Sequence, residues 1–324
     1  MQKVPVEKRR KRVFCMREIF DLYSYLKISG AQAAGRRLKA REAGIHVPVF
    51  LQADISVHCN LSCPGCENGY IHTKHQEELM TVNEWDVLFR EAEKLGIRFF
   101  FLTGGEPLME REILERAARY QNSWFLVFTK GTLLNEEYDQ FFSDHRNLVP
   151  MLCLDACSDI NLEKMGKSSY LYESLMYSMD ALSRRDIVYG TSVTLTGENR
   201  NRVLTRGFLD GLNRRKCNGV LYLVRDEADG HGAGHGVGNP AWDGSLRLTE
   251  EEKEEVKENL KELWKDYHDM VLYTLSRSGH FLGQPFEKAE VYRVSAEGNV
   301  YNSPAGLEKL GNLREKDLRS ILQR

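Results

Sequence analysis

The sequence predicts an α/β chain built on a parallel sheet, a partial (β/α)6 barrel. Three observations predict it. Short apolar, β-rich runs alternate with helical segments between residues 49 and 267. The helical segments are long enough for right-handed crossovers between parallel strands. Six such units make about three-quarters of an eight-unit barrel, whose functional groups collect at the C-terminal ends of the strands and in the loops beyond them.

The predicted strands are 49–56, 98–103, 124–129, 151–156, 188–196 and 220–225. Between them the patterning predicts helices over 82–95, 111–120, 136–142, 172–184 and 202–214. A further helix is predicted over 249–267, where Thr249 followed by Glu252 forms a capping-box signature. Residues 1–48 are predicted as an N-terminal helical extension, with Phe20, Leu22, Leu26 and Ile28 at helical spacing. Residues 229–244 are rich in glycine, contain His231 and His235, and lack periodicity, which predicts a loop after the sixth strand. The tail from 268 is a smaller α+β unit: two strand-like runs flanking 279–288, a turn at Glu297, Gly298 and Asn299, and a closing helix over 313–322.

Composition narrows the function. Hydrophobic residues make up 42% and charged residues 28%, an ordinary globular balance. A formal net charge of −2 gives no case for a nucleic-acid partner. No apolar run approaches the roughly 18 residues of a membrane span, and no signal peptide is recognisable. Seven cysteines in such a chain argue against a disulfide framework and for a reducing, cytoplasmic setting. The basic run Lys8, Arg9, Arg10, Lys11 and Arg12 reads as a solvated terminus or as a peripheral contact with an acidic partner or membrane surface.

The informative cysteines are Cys59, Cys63 and Cys66, directly after the first strand in HCNLSCPGCENGY. Pro64 and Gly65 keep this stretch from being a helix and let it wrap a compact object. Thiolates are the soft ligands of iron–sulfur clusters. Three of them leave one iron of a cubane cluster without a protein ligand, as a catalytic cluster requires. The competing reading is a structural zinc, with His58 or His72 as fourth ligand. The remaining cysteines, Cys15, Cys153, Cys157 and Cys217, are scattered.

This CxxxCxxC loop, in this place, resembles the hallmark of the radical S-adenosylmethionine (radical SAM) superfamily. Gly104, Gly105, Glu106 and Pro107 end the second strand and match the family's GGEP motif, which lies against the methionyl amino group of SAM. Paired glycines allow close backbone approach, and a carboxylate complements an ammonium. Thr129 and Lys130, followed by Gly131, resemble the family's TNG turn. Leu154 and Asp155 resemble its SxD signature, with Cys153 at the serine position. Lys167 falls where relatives carry an arginine near the SAM carboxylate. Ser192 and Thr194 resemble the ribose-contacting strand, with Glu198 and Asn199 after it. Val224, Arg225, Asp226 and Glu227 end the strand whose backbone often holds the adenine.

The tail is similar to the SPASM or twitch extension of some members, with Ser303 and Gln284 where cysteines would bind an auxiliary cluster. The resemblance therefore implies a twitch-like cap without a cluster over 268–324, one [4Fe–4S] cluster, and SAM. It also implies an external one-electron donor of the flavodoxin or ferredoxin type. Reductive cleavage of SAM would give a 5′-deoxyadenosyl radical, and the radical would abstract hydrogen from a substrate. The cysteine-free tail favours a small molecule, lipid or cofactor intermediate over a peptide. Two readings stand beside it: a catalytically silent relative that binds cluster or SAM for sensing or partner recognition, and a zinc-bound structural protein.

Overall fold

The structure, a computed structural model, describes residues 31–61, 78–154, 169–224, 247–267, 270–276, 278–281, 289–306 and 308–323. In chain order the elements are α1 Ala31–Glu42, β1 Phe50–Ser56, α2 Val82–Leu95, β2 Phe99–Gly104, α3 Arg111–Ala118, β3 Trp124–Thr129, α4 Glu136–Asp144, β4 Leu148–Cys153, α5 Ser169–Arg184, β5 Gly190–Leu195, α6 Arg200–Val203, α7 Arg206–Asn213, β6 Gly219–Val224, α8 Glu250–Asp266, β7 Val271–Ser276, β8 Val291–Val294, β9 Asn299–Tyr301, β10 Lys309–Asn312 and α9 Leu318–Ile321.

These strands form one sheet in the order β10-β9-β8-β1-β2-β3-β4-β5-β6-β7. All pairs from β8 through β1 to β7 are parallel; only β8–β9 and β9–β10 are antiparallel. The predicted parallel α/β architecture is present, and it is wider than six strands. The first strand-like run of the tail is β7, a seventh parallel strand beside β6, and the second is β8, which lies against β1 at the opposite side. Isolated bridges Leu275↔Phe281 and His280↔Glu290 connect the end of β7 to the start of β8.

Two apolar layers result. The larger packs helices against the outward face of the sheet, with Leu51, Ala53, Ile55, Phe100, Leu102 and Val127 meeting Trp85, Phe89 and Leu114. The smaller fills the inward face and joins Phe50, Phe99 and Phe101 of one side to Leu221 and Tyr273 of the other. Phe281 makes the connection, with ring centroids 4.9 Å from Phe50 and 6.4 Å from Tyr273. A flat sheet could not bring β1 and β7 to one ring, so the sheet is curled.

Local chemistry explains the boundaries. Thr81 and Glu84 form a capping box that starts α2, and Gly96 ends it at φ 94°. Its face of Trp85, Leu88, Phe89, Ala92 and Leu95 is buried, worth about 1.5–3 kcal/mol for each large side chain. The helix predicted over 202–214 is two helices, because Thr205 takes an extended backbone and caps the second. β4 begins three residues before its predicted start. Pro150 is tolerated because Leu148–Pro150 pairs only with β3, and pairing with β5 begins at Met151. The closing helix is shorter than predicted: 313–316 form a turn after the strand 309–312, and Asp317 caps a helix that starts at Leu318 by accepting from the amide of Ser320 at 2.7 Å.

Candidate functional site

The site is built where β1, β2 and β3 end. The register between β1 and β2 shifts after Asp54, pairing Ser56 with Gly104, and such a bulge re-aims the chain that leaves the strand. Beyond it the two chains stay joined. The Gly105 amide donates to the Ser56 carbonyl at 2.7 Å, and the Glu106 amide to the His58 carbonyl at 2.7 Å. Gly104, at φ 119°, has the Ser56 carbonyl in the space a side chain would need, and Gly105 has the His58 carbonyl there. The glycines of the GGEP motif are thus required by close approach of backbone. The backbone they approach is the root of the cysteine loop, which ends at Cys59.

Cys59 is half-buried. Its Sγ accepts the Leu61 amide at 3.4 Å, a sulfur-directed hydrogen bond. Asn60 reaches across to the turn after β3, with Nδ2 donating to Thr132 Oγ1 at 2.9 Å. Ser56 Oγ donates to Glu110 Oε1 at 2.8 Å and accepts the His58 amide at 3.0 Å, while His58 Nδ1 lies 3.4 Å from the same carboxylate oxygen. Sequence reasoning missed Ser56, Asn60 and Glu110, and Thr132 closes the turn that resembles the TNG motif. The period-2 run of polar residues Gln52, Asp54 and Ser56 along one side of the strand is the signal that could have found Ser56.

Glu106 is 1% exposed. Its Oε1 accepts the Leu108 amide at 3.1 Å, starting a short 3-10 turn at Pro107, and its Oε2 accepts the Lys130 amide at 3.1 Å. Burial raises its pKa; the Leu108 amide, the Thr129 hydroxyl, and the amide and charge of Lys130 pull in the opposite direction. Thr129 Oγ1 also accepts the Gly131 amide at 3.0 Å, which shapes the turn at φ 75° for Gly131. The structure therefore brings Gly104, Gly105, Glu106, Pro107, Thr129 and Lys130 together with Cys59.

Cys153, the last residue of β4, is the register partner of Ser192 within β5. Ser192 shares the inward face with Thr194, because Val193 and Leu195 belong to the outward layer. The Ser192 hydroxyl is buried and meets no hydrogen-bond partner among the described residues. Asn199 closes the turn after β5, accepting the Thr196 amide at 2.9 Å and donating to the Thr194 carbonyl at 2.8 Å. Cys63, Cys66, Asp155 and Lys167 lie outside the described residues, as do Cys15, Cys157, His72, His231, His235 and Gln284. Cys217 is buried and its thiol is pushed up to about 11 by desolvation, a core residue of the outward layer.

The sequence profile of the radical SAM superfamily matches residues 54–206. That stretch, from Asp54 on β1 to Arg206 at the start of α7, is similar to the superfamily. The PqqA peptide cyclase of Rhizobium meliloti (strain 1021) is 35% identical to the chain over 131 residues, which are 40% of the chain and 35% of that protein. The chain thus spans about a third of the length of this curated relative. Among solved structures, SuiB of Streptococcus suis bound to S-adenosylmethionine is similar over 95% of this chain and 76% of its own, with 15% identity and a TM-score of 0.66. Native anSMEcpe with bound AdoMet and Cp18Cys peptide is similar over 85% of this chain and 80% of its own, with 15% identity and a TM-score of 0.56. At that identity the likeness is one of fold.

The radical SAM family uses a [4Fe–4S] cluster and SAM, and the described part of the domain fits both. Cys59 is a soft donor held by an amide, and hydrogen bonds to sulfur are one means by which proteins set cluster potential. The orphaned Ser192 hydroxyl is a buried polar atom of the kind that a bound ligand satisfies. Among the described residues no helix is long and apolar enough to cross a membrane.

Proposed function

We propose that this chain is a radical SAM enzyme, with Cys59, Cys63 and Cys66 holding a [4Fe–4S] cluster and SAM as cosubstrate. One observation carries the reading: the amides of Gly105 and Glu106 are fixed on the carbonyls of Ser56 and His58, so the cysteine loop and the GGEP strand form one rigid corner. When bound there and reduced, such a cluster would supply a single electron for the reductive cleavage of SAM to methionine and a 5′-deoxyadenosyl radical.

The chain's own residues do the rest. Glu106, locked by Leu108, Thr129 and Lys130, fixes the wall that faces the methionyl end. Ser192 and Thr194 supply hydroxyls on the inward face for the ribose, Cys153 ends the neighbouring strand, and Asp155 is a further SAM contact. Lys167 offers a cation for the SAM carboxylate as a point charge rather than a fork. The aromatic inward layer excludes water from the space where a radical would act. The tail from 268 carries no cysteine for a second cluster and, beyond the strands β7 and β8 that it adds to the sheet, acts as a cap. An external flavodoxin- or ferredoxin-type donor supplies the electron.

The substrate expectation changes. A small molecule was favoured because no cysteine follows Cys217, yet the relatives do not support that preference: the PqqA cyclase is named for a peptide, and anSMEcpe was solved with one. Peptides therefore stand first among substrates to be tried.

The test is anaerobic reconstitution of the full chain. It should bind about four irons and form 5′-deoxyadenosine from SAM and dithionite, and Cys63→Ala should lose both. SAM binding without cleavage under reducing conditions would favour the silent relative, and one zinc without iron would favour the structural protein.

A further inference from the structure

The inward face of β1 is polar above Phe50: Gln52, Asp54 and Ser56 alternate with the outward Leu51, Ala53 and Ile55. Asp54 is the centre of this face. Its Oδ1 accepts from Gln52 Nε2 at 3.0 Å and from Thr103 Oγ1 at 2.6 Å, and its Oδ2 accepts from Arg293 Nε at 2.6 Å. Donors from β1, β2 and β8 converge on one carboxylate, whose side chain is 10% exposed.

Arg293 is in the opposite condition. Its side chain is 20% exposed, and a guanidinium carries five N–H donors. Nε is committed to Asp54. Nη1 has one contact, the Pro304 carbonyl at 3.5 Å, the outer limit of a hydrogen bond. No other acceptor meets the Nη groups among the described residues. The head group is nevertheless fixed in place. Tyr301, its register partner on β9, puts its ring centroid 5.8 Å from Cζ. Gly306, at φ 72°, lies in the turn beside Nη1. Among the described residues, one edge of the guanidinium is committed to Asp54 and the other meets only the Pro304 carbonyl.

The location is inside the candidate site. Thr103 directly precedes Gly104, and Asp54 leads through Ser56 to Cys59. Arg293 stands on β8, on the side of β1 away from β2 and the GGEP motif.

We propose that Arg293, oriented by Asp54, binds a carboxylate of the second substrate at the inward mouth of the sheet. The proposal rests on the radical SAM reading above, with SAM as first substrate. A planar guanidinium edge matches a carboxylate's two oxygens. Asp54 on the other edge leaves the pair neutral, which suits a monoanion better than a phosphate dianion. Asp54 acts through Arg293 and is a positioning residue.

The experiment uses the reconstituted full chain without substitution. Phenylglyoxal modifies accessible arginines, and peptide mass spectrometry reads Arg293 individually. Arg293 should be labelled, and N-acetylalanine above its dissociation constant should slow that labelling about threefold or more, in line with site occupancy. N-acetylalaninamide, which lacks the carboxylate, should leave the rate unchanged. Absence of labelling, equal protection by acid and amide, or protection by neither overturns the proposal. Protection by SAM alone overturns it as well, by assigning the edge to the cosubstrate. Formation of 5′-deoxyadenosine in the same preparation reports on the proposed function separately. Lost protection with intact cleavage sinks only the carboxylate site, and intact protection without cleavage sinks only the enzyme reading.

Discussion

The buried carboxylate of Glu106 accepts the Lys130 amide at 3.1 Å and so ties the end of β2 to the turn after β3. Desolvation holds its pKa above the ordinary value despite four opposing influences from Leu108, Thr129 and Lys130. A carboxyl with a raised folded-state pKa contributes stability that is complete below its unfolded value, about 4.3, and that is lost as pH rises through the folded value. Glu106→Gln keeps the volume and removes the titration. Its cost should be largest near the acid end, about 1–3 kcal/mol, and should shrink toward neutral pH. Urea midpoints across that range check this, and a deficit independent of pH would contradict it.

Gly105→Ala drives a methyl group into the His58 carbonyl. Backbone cannot give way as a flexible side chain does, so the root of the cysteine loop must shift, at a cost of about 1–3 kcal/mol. Iron bound per chain after anaerobic reconstitution should fall well below that of the unsubstituted protein. Full iron content would show that the corner tolerates displacement.

Gly207→Ala is the contrasting case. A methyl group there meets nothing within 4 Å, and the residue lies in α7. Removing glycine from a helix where alanine fits should stabilise by about 0.5–1 kcal/mol. The melting temperature should rise while iron content stays unchanged.

Ser192→Ala separates folding from binding. Its hydroxyl is buried without a partner among the described residues, so its removal should leave the apo protein equally stable or slightly more so. If that hydroxyl serves SAM, the dissociation constant for SAM should rise about tenfold, the worth of one hydrogen bond. Equal affinity in calorimetry would assign the hydroxyl to the core.

Much of this was legible because local signals agreed with the fold. The helical patterning over 82–95 matches α2 end to end, the capping box at Thr249 and Glu252 starts α8, and the run from Trp124 to Thr129 is β3. GGEP and the cysteine loop are adjacent in space because each ends a strand of one parallel pair. Other features carried no local mark. Pro150 hid the start of β4, since its tolerance depends on which neighbour pairs there. Thr205 sits in a stretch whose apolar spacing continues across the break. Asp54 and Arg293 are 239 residues apart, and nothing in periodicity links them. The period-2 alternation of Gln52, Asp54 and Ser56 was readable, but their partner was not.

The pairing of β1 with β8 also bears on how the chain is made. Phe50–Ala53 leave the ribosome long before Val291–Val294, so one flank of the first strand stays uncovered through most of synthesis. Its backbone donors and acceptors form an open template, and the sequence distance to its partner makes closure slow. Truncation ahead of Val291, which removes β8 itself, would leave that flank permanently exposed, and the outcome would be aggregation during expression rather than a well-behaved barrel lacking an appendage.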